Sequence, residues 1–464
     1  MKISCGSPPS CVSRGVPLGL ARRAAVLFLL GVSAPVLASS PSASGTIEVG
    51  EDRPVAARYD TAPLIEPHLA VDPADGKHLL AASIVLTKPD ISQTDCASFV
   101  SFDTGATWSH RNLGLSDCAD VWTAFASDGS ALLSVLGAGA LLVYRSGDGG
   151  RTWSKPLAFD GNLDHETLFA ASSGPVYLVA SQDTNEPASG KHRTSVFVAR
   201  SDDGGRSFAE PTRFFPSNLD SNAMTLVILS DGAVLASFAD YQRPGPEGPV
   251  WLEPGRSWMA VSRDKGKTFA APMMISDACG RGFPSLAVDS SSGPTRDRLY
   301  WLCNTQRFEE ILLHRSADRG ETWSKPVRVN VSSGRRPYVR TPSIAVNKDG
   351  VVGITWYDAR HEKLKFKDIY QCVELYFAAS LDGGETFLPD VKVSSAPSCA
   401  DAPRNGLAKA RWPAGGDYTG LAARPDGSFH LLWSDSRDGM YRLRQSVVKV
   451  DRKAAAQNAA SATK

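Results

Sequence analysis

Four acids and a phenol stand at the starts of short apolar runs: Glu66 in IEPHLAVDP, Asp120 in DVWTAFAS, Asp164 and Glu166 in DHETLFAAS, and Tyr418 in DYTGLAAR. A carboxyl group so placed can protonate a leaving oxygen or take a proton from an attacking group. A tyrosine beside a carboxylate base is an activated nucleophile. Three arginines share the setting, Arg281 in CGRGFPS, Arg340 in VRTPSIAV and Arg360 in WYDARHE, and their planar forks match an anion. Brought together, these groups would form a polar site for a sugar or an acid. Asp120 and Asp164 are then the candidate proton donors, and Tyr418 with Glu66 the candidate nucleophile and base. Arg281, Arg340, Arg360, Glu166 and Asp358 are the candidate substrate-binding residues.

Each of these residues also has a purely structural reading. Arg360 and Arg437 follow apolar runs in the matched phrases WYDAR and WSDSR, the pattern of an Asp–Arg pair bracing neighbouring sheets. His68 and His165 come without metal-ligand spacing and read as loop or core histidines. Trp122 and Trp412 would either stack on a sugar face or pack in the core. No cofactor is implied; a structural calcium is left open.

The elements that must position these groups are announced by a repeat. The pattern Ser-x-Asp-x-Gly-x-(Ser/Thr)-aromatic occurs six times, as SFDTGATW, SGDGGRTW, SDDGGRSF, SRDKGKTF, SADRGETW and SLDGGETF. Their aspartates are Asp103, Asp148, Asp203, Asp264, Asp318 and Asp382. The motif reads as a tight turn: Gly supplies a positive φ, and the Asp carboxylate takes backbone N–H groups one and two residues on. The aromatic residue is expected to tuck into a seam between sheets. Around SADRGETW lie PSLAVDS, DRLYWLCN, EILLHRS and VRVN, four short strand-like runs. That is the unit of a propeller blade. The other units open near PHLAVDP, VWTAFAS, ETLFAAS, AMTLVIL, PSIAVN and YTGLAAR, the last lacking an Asp turn.

The expected fold is therefore all-β, a seven-bladed β-propeller of four-stranded antiparallel blades, with six blades if two units merge. The run GTIEVG at residues 45–50 would supply the outer strand of the last blade and close the ring. The Asp turns join third to fourth strands and would lie on the face opposite the candidate site. This assigns the six aspartates to structure.

The six turns, with the phrases PSLAVD, WYDAR and GDYTGLAARPDG, resemble the Asp-box (bacterial neuraminidase) repeats of the sialidase superfamily and its bacterial exo-α-sialidase-like members. The resemblance spans nearly the whole chain after its N-terminal segment. It implies a glycoside hydrolase acting on sialic-acid-type or other acidic glycans. Three arginines would grip the substrate carboxylate, a Tyr–Glu pair would attack and an Asp would protonate. The Arg-Ile-Pro motif of that superfamily is absent; Glu66 and His68 stand near its place. The alternative is a non-catalytic propeller serving as a glycan- or protein-binding scaffold.

Arg22 and Arg23 precede the apolar run AAVLFLLGVSAPVLA, which ends Val36-Leu37-Ala38 before Ser39. This is the form of a secretory signal cleaved near Ala38, which implies a secreted or periplasmic protein. The reading divides the chain into a signal at 1–38, a propeller domain at 39–450 and a polar tail at 451–464. Among 464 residues, 42% are hydrophobic and 21% charged, with net charge +1. Nothing in that balance marks a nucleic-acid binder, and no second segment is apolar enough to span a bilayer. A carbohydrate ligand is expected, and a protein partner is left open. Beyond the signal remain Cys96, Cys118, Cys279, Cys303, Cys372 and Cys399. An even count in an exported chain argues for disulfides. Of the fifteen connectivities, the nearest-neighbour set is preferred: 96–118, 279–303 and 372–399. There is no C-x-x-C spacing, so zinc and thioredoxin-like sites are not expected.

Overall fold

The run LLAASIVL at Leu79–Leu86 is apolar along both faces, and every one of its residues is buried. Val352–Asp358 and Phe429–Asp435 behave the same way. A strand covered on both faces needs packing layers on either side of its sheet, and a ring of sheets provides them without leaving an end. The computed structural model describes residues 44–452, apart from 56–58, 60–61, 172–173, 186–191, 218–219, 244–249, 280–283, 332–337 and 362–371. The expected signal segment, Arg281 and residues 453–464 of the expected tail lie outside the described residues.

Seven antiparallel sheets follow one another along the chain. Their innermost strands are Leu64–Val71, Cys118–Phe125, Asn162–Ala170, Asp220–Ile228, Ser285–Val288, Val339–Val346 and Gly420–Ala423, which define blades 1 to 7 in that order. Blade 7 is completed from the other end of the chain: Gly45–Val49 pairs with Arg442–Arg452 in the register Gly45↔Arg452 to Val49↔Val448. The final strand thus carries two residues beyond position 450. The core is divided into seams rather than gathered in one mass. One apolar cluster joins each neighbouring pair of blades, including blade 7 to blade 1, where Leu432 and Leu443 pack with Leu64, Leu79 and Phe99. Seven seams mean seven blades and a closed ring, so the six-blade alternative falls.

In the Asp turns the glycine takes the expected positive φ, from Gly105 at +82° to Gly320 at +94°. The aspartate bonds differently from expectation. Its carboxylate reaches the residue four positions on, taking that residue's N–H at 2.8–2.9 Å. It also takes the same residue's hydroxyl at 2.5–2.6 Å. This explains the Ser/Thr in the motif: only a hydroxyl there can close the second bond. The leading serine donates to the same carboxylate and accepts the glycine N–H, as Ser101 does at 2.8 Å and 2.8 Å. Asp148, Asp203 and Asp264 are held down to about 2, chiefly by the hydroxyls of Ser146, Ser207 and Thr268.

The disulfides are Cys96–Cys118, Cys279–Cys303 and Cys372–Cys399. The first two cross from one blade to the next. Closure has its own clasp. Asp52, just past the closing strand, accepts from Arg437 Nη1 at 2.8 Å, Arg444 Nε at 2.5 Å and Ser395 N at 2.7 Å. Its side chain is only 3% exposed and both arginines are about as enclosed, at 12–13%. Removing one partner of a buried ion cluster strands the others in a poor solvent. Asp52→Ala is therefore expected to cost about 3–5 kcal/mol, read as a lower urea midpoint; an unchanged midpoint would show that the clasp does not hold the ring.

Candidate functional site

The innermost strands do not begin as regular strands. Glu66, Asp120, His165 and Thr341 sit at matching places in blades 1, 2, 3 and 6, and each has a left-handed backbone, with φ between +43° and +52°. At each the ladder slips, between Ile65 and His68, Ala119 and Val121, Asp164 and Thr167, and Arg340 and Ser343. Such bulges re-aim side chains. A non-glycine residue held left-handed costs on the order of 1–3 kcal/mol, and Thr341, β-branched, is the most strained type. Pro67 and Pro342 follow two of them, which denies the preceding residue the right-handed helical region and removes a ladder donor the bulge would waste. Tyr418 stands three residues before Leu421, as Glu66 stands three before Leu69, and so takes the same place in blade 7.

The result is an axial cavity of ≈ 210 Å³ reached by all seven blades. Its chemistry comes from one arc: His68 from blade 1, Asp120 and Trp122 from blade 2, His165 and Glu166 from blade 3, and Asp417 and Tyr418 from blade 7. Glu66 lies just behind, 3% exposed, its Oε1 accepting the Asp417 N–H at 3.1 Å. Its own N–H donates to the Gly415 carbonyl at 3.0 Å. Gly416 makes the approach possible, because a Cβ there would lie 2.6 Å from Glu66 Cγ. The Tyr418 hydroxyl oxygen accepts the Val121 N–H at 2.8 Å, so blade 7 reaches past blade 1 to touch blade 2.

Burial governs the charges. It raises Asp120 to about 6; His165 opposes the rise, while Asp164 and Asp417 add to it. It raises Glu66 well above the usual range, with Asp417 and Asp120 adding repulsion and Arg411 relieving part of it. Glu166 is pushed up in the same way, first by burial and then by Asp120. Both Glu166 carboxyl oxygens are buried, and the Ser134 hydroxyl beside them opposes part of the rise. The Tyr418 proton is held on by burial and by Asp120, Glu66 and Glu166. The cavity is thus a set of acids that cannot all ionise at once.

Asp164, 55% exposed, marks the rim, and His165 spans two acids, 3.3 Å from Asp164 and 3.8 Å from Asp120. These three have the spacing of a cation site, each bringing a ligand atom within 4.8 Å of the others, but a metal would have to displace that ion pair. The trio Cys279, Cys303 and His314 is closed to metal by its disulfide.

Neither Arg340 nor Arg360 lines the cavity. Arg340 donates to the Tyr338 hydroxyl at 2.8 Å and lies over the Phe308 ring. Arg360 clamps Asp358 at 2.7 Å and Asp390 at 2.8 Å while lying over Tyr376. Asp358 is thereby engaged too, and also accepts Trp356 Nε1–H. Arg437 repeats the device with Asp435 and Asp52. The brace ties a blade's second strand to its outer edge and, as expected, also reaches the neighbouring blade: Arg437 donates to Ser395 Oγ at 2.7 Å and to the Ala396 carbonyl at 3.0 Å in blade 6. Among the described residues no lysine or arginine lines the axial cavity. None of the six turn aspartates lines it either. Trp412 packs beside the blade 1–2 seam, and Trp122 has one face covered by His68. Sequence reasoning missed Arg411, which is ion-paired at 3.2 Å with Asp417 beside Glu66; Asp417 was visible next to Tyr418 but carried no assigned role.

No family profile matches the chain, and no curated protein matches it. Among solved structures it is similar to a protein of unknown function from Dyadobacter fermentans, at 14% identity and a TM-score of 0.50, over 88% of this chain and 99% of that one. It is also similar to a Hadza microbial sialidase, at 15% identity and a TM-score of 0.45, over 77% and 74% of the two chains. A leech intramolecular trans-sialidase aligns at 13% identity and a TM-score of 0.45, over 85% and 70%. Likeness at such identities concerns the fold alone. No helix among the described residues is long and apolar enough to cross a membrane.

Glu166 offers a direct test of the charge balance. A carboxyl group with a raised pKa contributes stability that is fully present below about 4.5 and is lost as pH rises through its folded value. Glu166→Gln carries no charge at any pH, so its stability relative to the parent should grow as pH rises from 5 to 8. Thermal melts across that range would show it; a pH-independent difference would mean Glu166 is not buried as an acid.

Proposed function

We propose that the protein is an exported glycoside hydrolase-type propeller that takes a neutral glycan into its axial cavity. One observation carries the reading: Asp120, Glu166, Asp417 and Tyr418 line the cavity, and no described lysine or arginine lines it with them. A carboxylate-bearing sugar would meet repulsion there, so the substrate is a neutral sugar and not the acidic glycan implied by the sialidase resemblance. Asp120 is the proton donor, because a carboxyl group with a pKa of about 6 keeps its proton in mildly acidic solution and can still release it. Tyr418 acts as a neutral hydrogen-bonding group rather than as a phenolate nucleophile, since burial and three acids hold its proton in place. Glu66 positions the segment Gly415–Asp417 that carries it. Three disulfides support export to an oxidising compartment, with the signal removed near Ala38.

The test is hydrolysis of neutral aryl glycosides and of an aryl sialoside by the mature chain. Neutral substrates should turn over and the sialoside should not. kcat/KM should be highest below about pH 6 and fall as Asp120 ionises, and Asp120→Asn should lower it by about 10²–10⁴-fold. A faster sialoside, or full activity in D120N, would overturn the assignment, and binding of neutral sugars without turnover would favour the scaffold reading.

A further inference from the structure

The cavity is rich in groups that accept hydrogen bonds, and His68 stands out among them. Its Nδ1 lies 3.0 Å from the Thr123 backbone nitrogen. An amide N–H can only donate, so Nδ1 must carry a lone pair, and a neutral ring then holds its proton on Nε2. The Thr123 hydroxyl, 2.9 Å from Nδ1 and 3.3 Å from the Leu80 carbonyl, completes the seat. The ring plane is set as well, stacked on Trp122 with centroids 3.9 Å apart and planes at 26°. Burial pushes the ring pKa down to about 3, which keeps it uncharged.

Around it other nitrogen groups already face the acids or Tyr418. His165 lies between Asp120 and Asp164, and the Val121 N–H goes to Tyr418. Sugar hydroxyls can donate to the acids of the arc, but a ring or glycosidic oxygen has no hydrogen and can only accept. Protonated Asp120 can meet the glycosidic oxygen, but a further acceptor-only oxygen, such as the ring oxygen, stays unpaired unless another donor faces it.

We propose that His68 is a fixed, uncharged donor whose Nε2–H meets an acceptor-only oxygen of the bound glycan, and that it selects ligands by the position of that oxygen. The ligand class rests on the neutral-glycan reading above; the donor state of the ring does not. His68 is one residue beyond the Glu66–Pro67 bulge, so the strained backbone of blade 1 aims this ring as well as placing Glu66.

Two variants separate the two nitrogens. In His68→Asn the amide oxygen can stand where Nδ1 stands and keep the Thr123 bond, while nothing replaces Nε2–H. In His68→Gln an amide N–H reaches the Nε2 position. Calorimetry with cello-, xylo- and arabino-oligosaccharides identifies one that the parent chain binds. H68N should then bind it at least about tenfold more weakly with an unchanged melting temperature, and H68Q should recover most of the loss. Nitrogen-15 spectra of the parent should show His68 with a protonated Nε2 and an unprotonated Nδ1. Undiminished binding by H68N, or a spectrum showing Nδ1–H or a charged ring, overturns the proposal. If the parent binds none of these sugars, the neutral-glycan reading fails, and with it the ligand class assigned to His68, even where the spectrum shows the Nε2–H ring.

Discussion

Everything in this molecule depends on the first strand finding the last. The pairing of Gly45–Val49 with Arg442–Arg452 turns a row of sheets into a ring, and the ring gives every second strand a covering layer on both faces. Without closure, blade 7 would lack its outer strand and blade 1 would lose the seam it shares with Leu432 and Leu443. The acid-lined arc straddles this junction. Leu64 donates its N–H to the Tyr441 carbonyl at 3.0 Å and Ser434 donates to the Leu64 carbonyl at 3.0 Å, which holds Glu66 beside the Gly415–Asp417 segment. The clasp at Asp52 and the chemistry on the axis are two ends of one seam.

That arrangement explains why so much unfavourable physics can collect on the axis. Left-handed backbone at four non-glycine residues, several acids packed together and a deeply buried Glu166 would each destabilise a small domain. Here the opposing resource is spread over seven apolar seams, six side-chain-locked turns and three disulfides, and neither the turns nor the disulfides line the cavity. Strain and charge are concentrated where a ligand would be met, and rigidity is concentrated on the opposite face and at the rim. The Asp turns are the clearest case: the pattern that looks most chemical in the sequence serves only to hold third strands to fourth strands.

Much of the architecture was legible because it repeats. Six copies of one turn, a seventh unit without it, and the strand-like run GTIEVG at the chain start were enough to anticipate the ring and its closure. The disulfide pairs followed from proximity along the chain. The site was legible in part: Glu66, Asp120, Glu166 and Tyr418 do meet, because all stand at or next to the same place on successive blades. Arg340 and Arg360 stand away from the cavity for a physical reason. A position near the end of a strand says that a side chain is close to the upper face but not whether it turns toward the axis or back into its own blade. Arg360 turns back because Asp358 and Asp390 lie within its reach. His68 was read as a loop or core histidine for the converse reason, since only the bulge before it decides where its ring points, and a bulge leaves no mark in residue type beyond the proline beside it.

Because the arc draws on both ends of the chain, no fragment of it can be chemically competent. Glu66 and His68 emerge early in synthesis, whereas Asp417, Tyr418 and the arginines that grip Asp52 come some 350 residues later. A partly made or truncated polypeptide therefore has its acids dispersed, solvated and harmless. Competence arrives in one step, when the tail of the chain docks against its own beginning, so that completeness of the molecule is itself the switch.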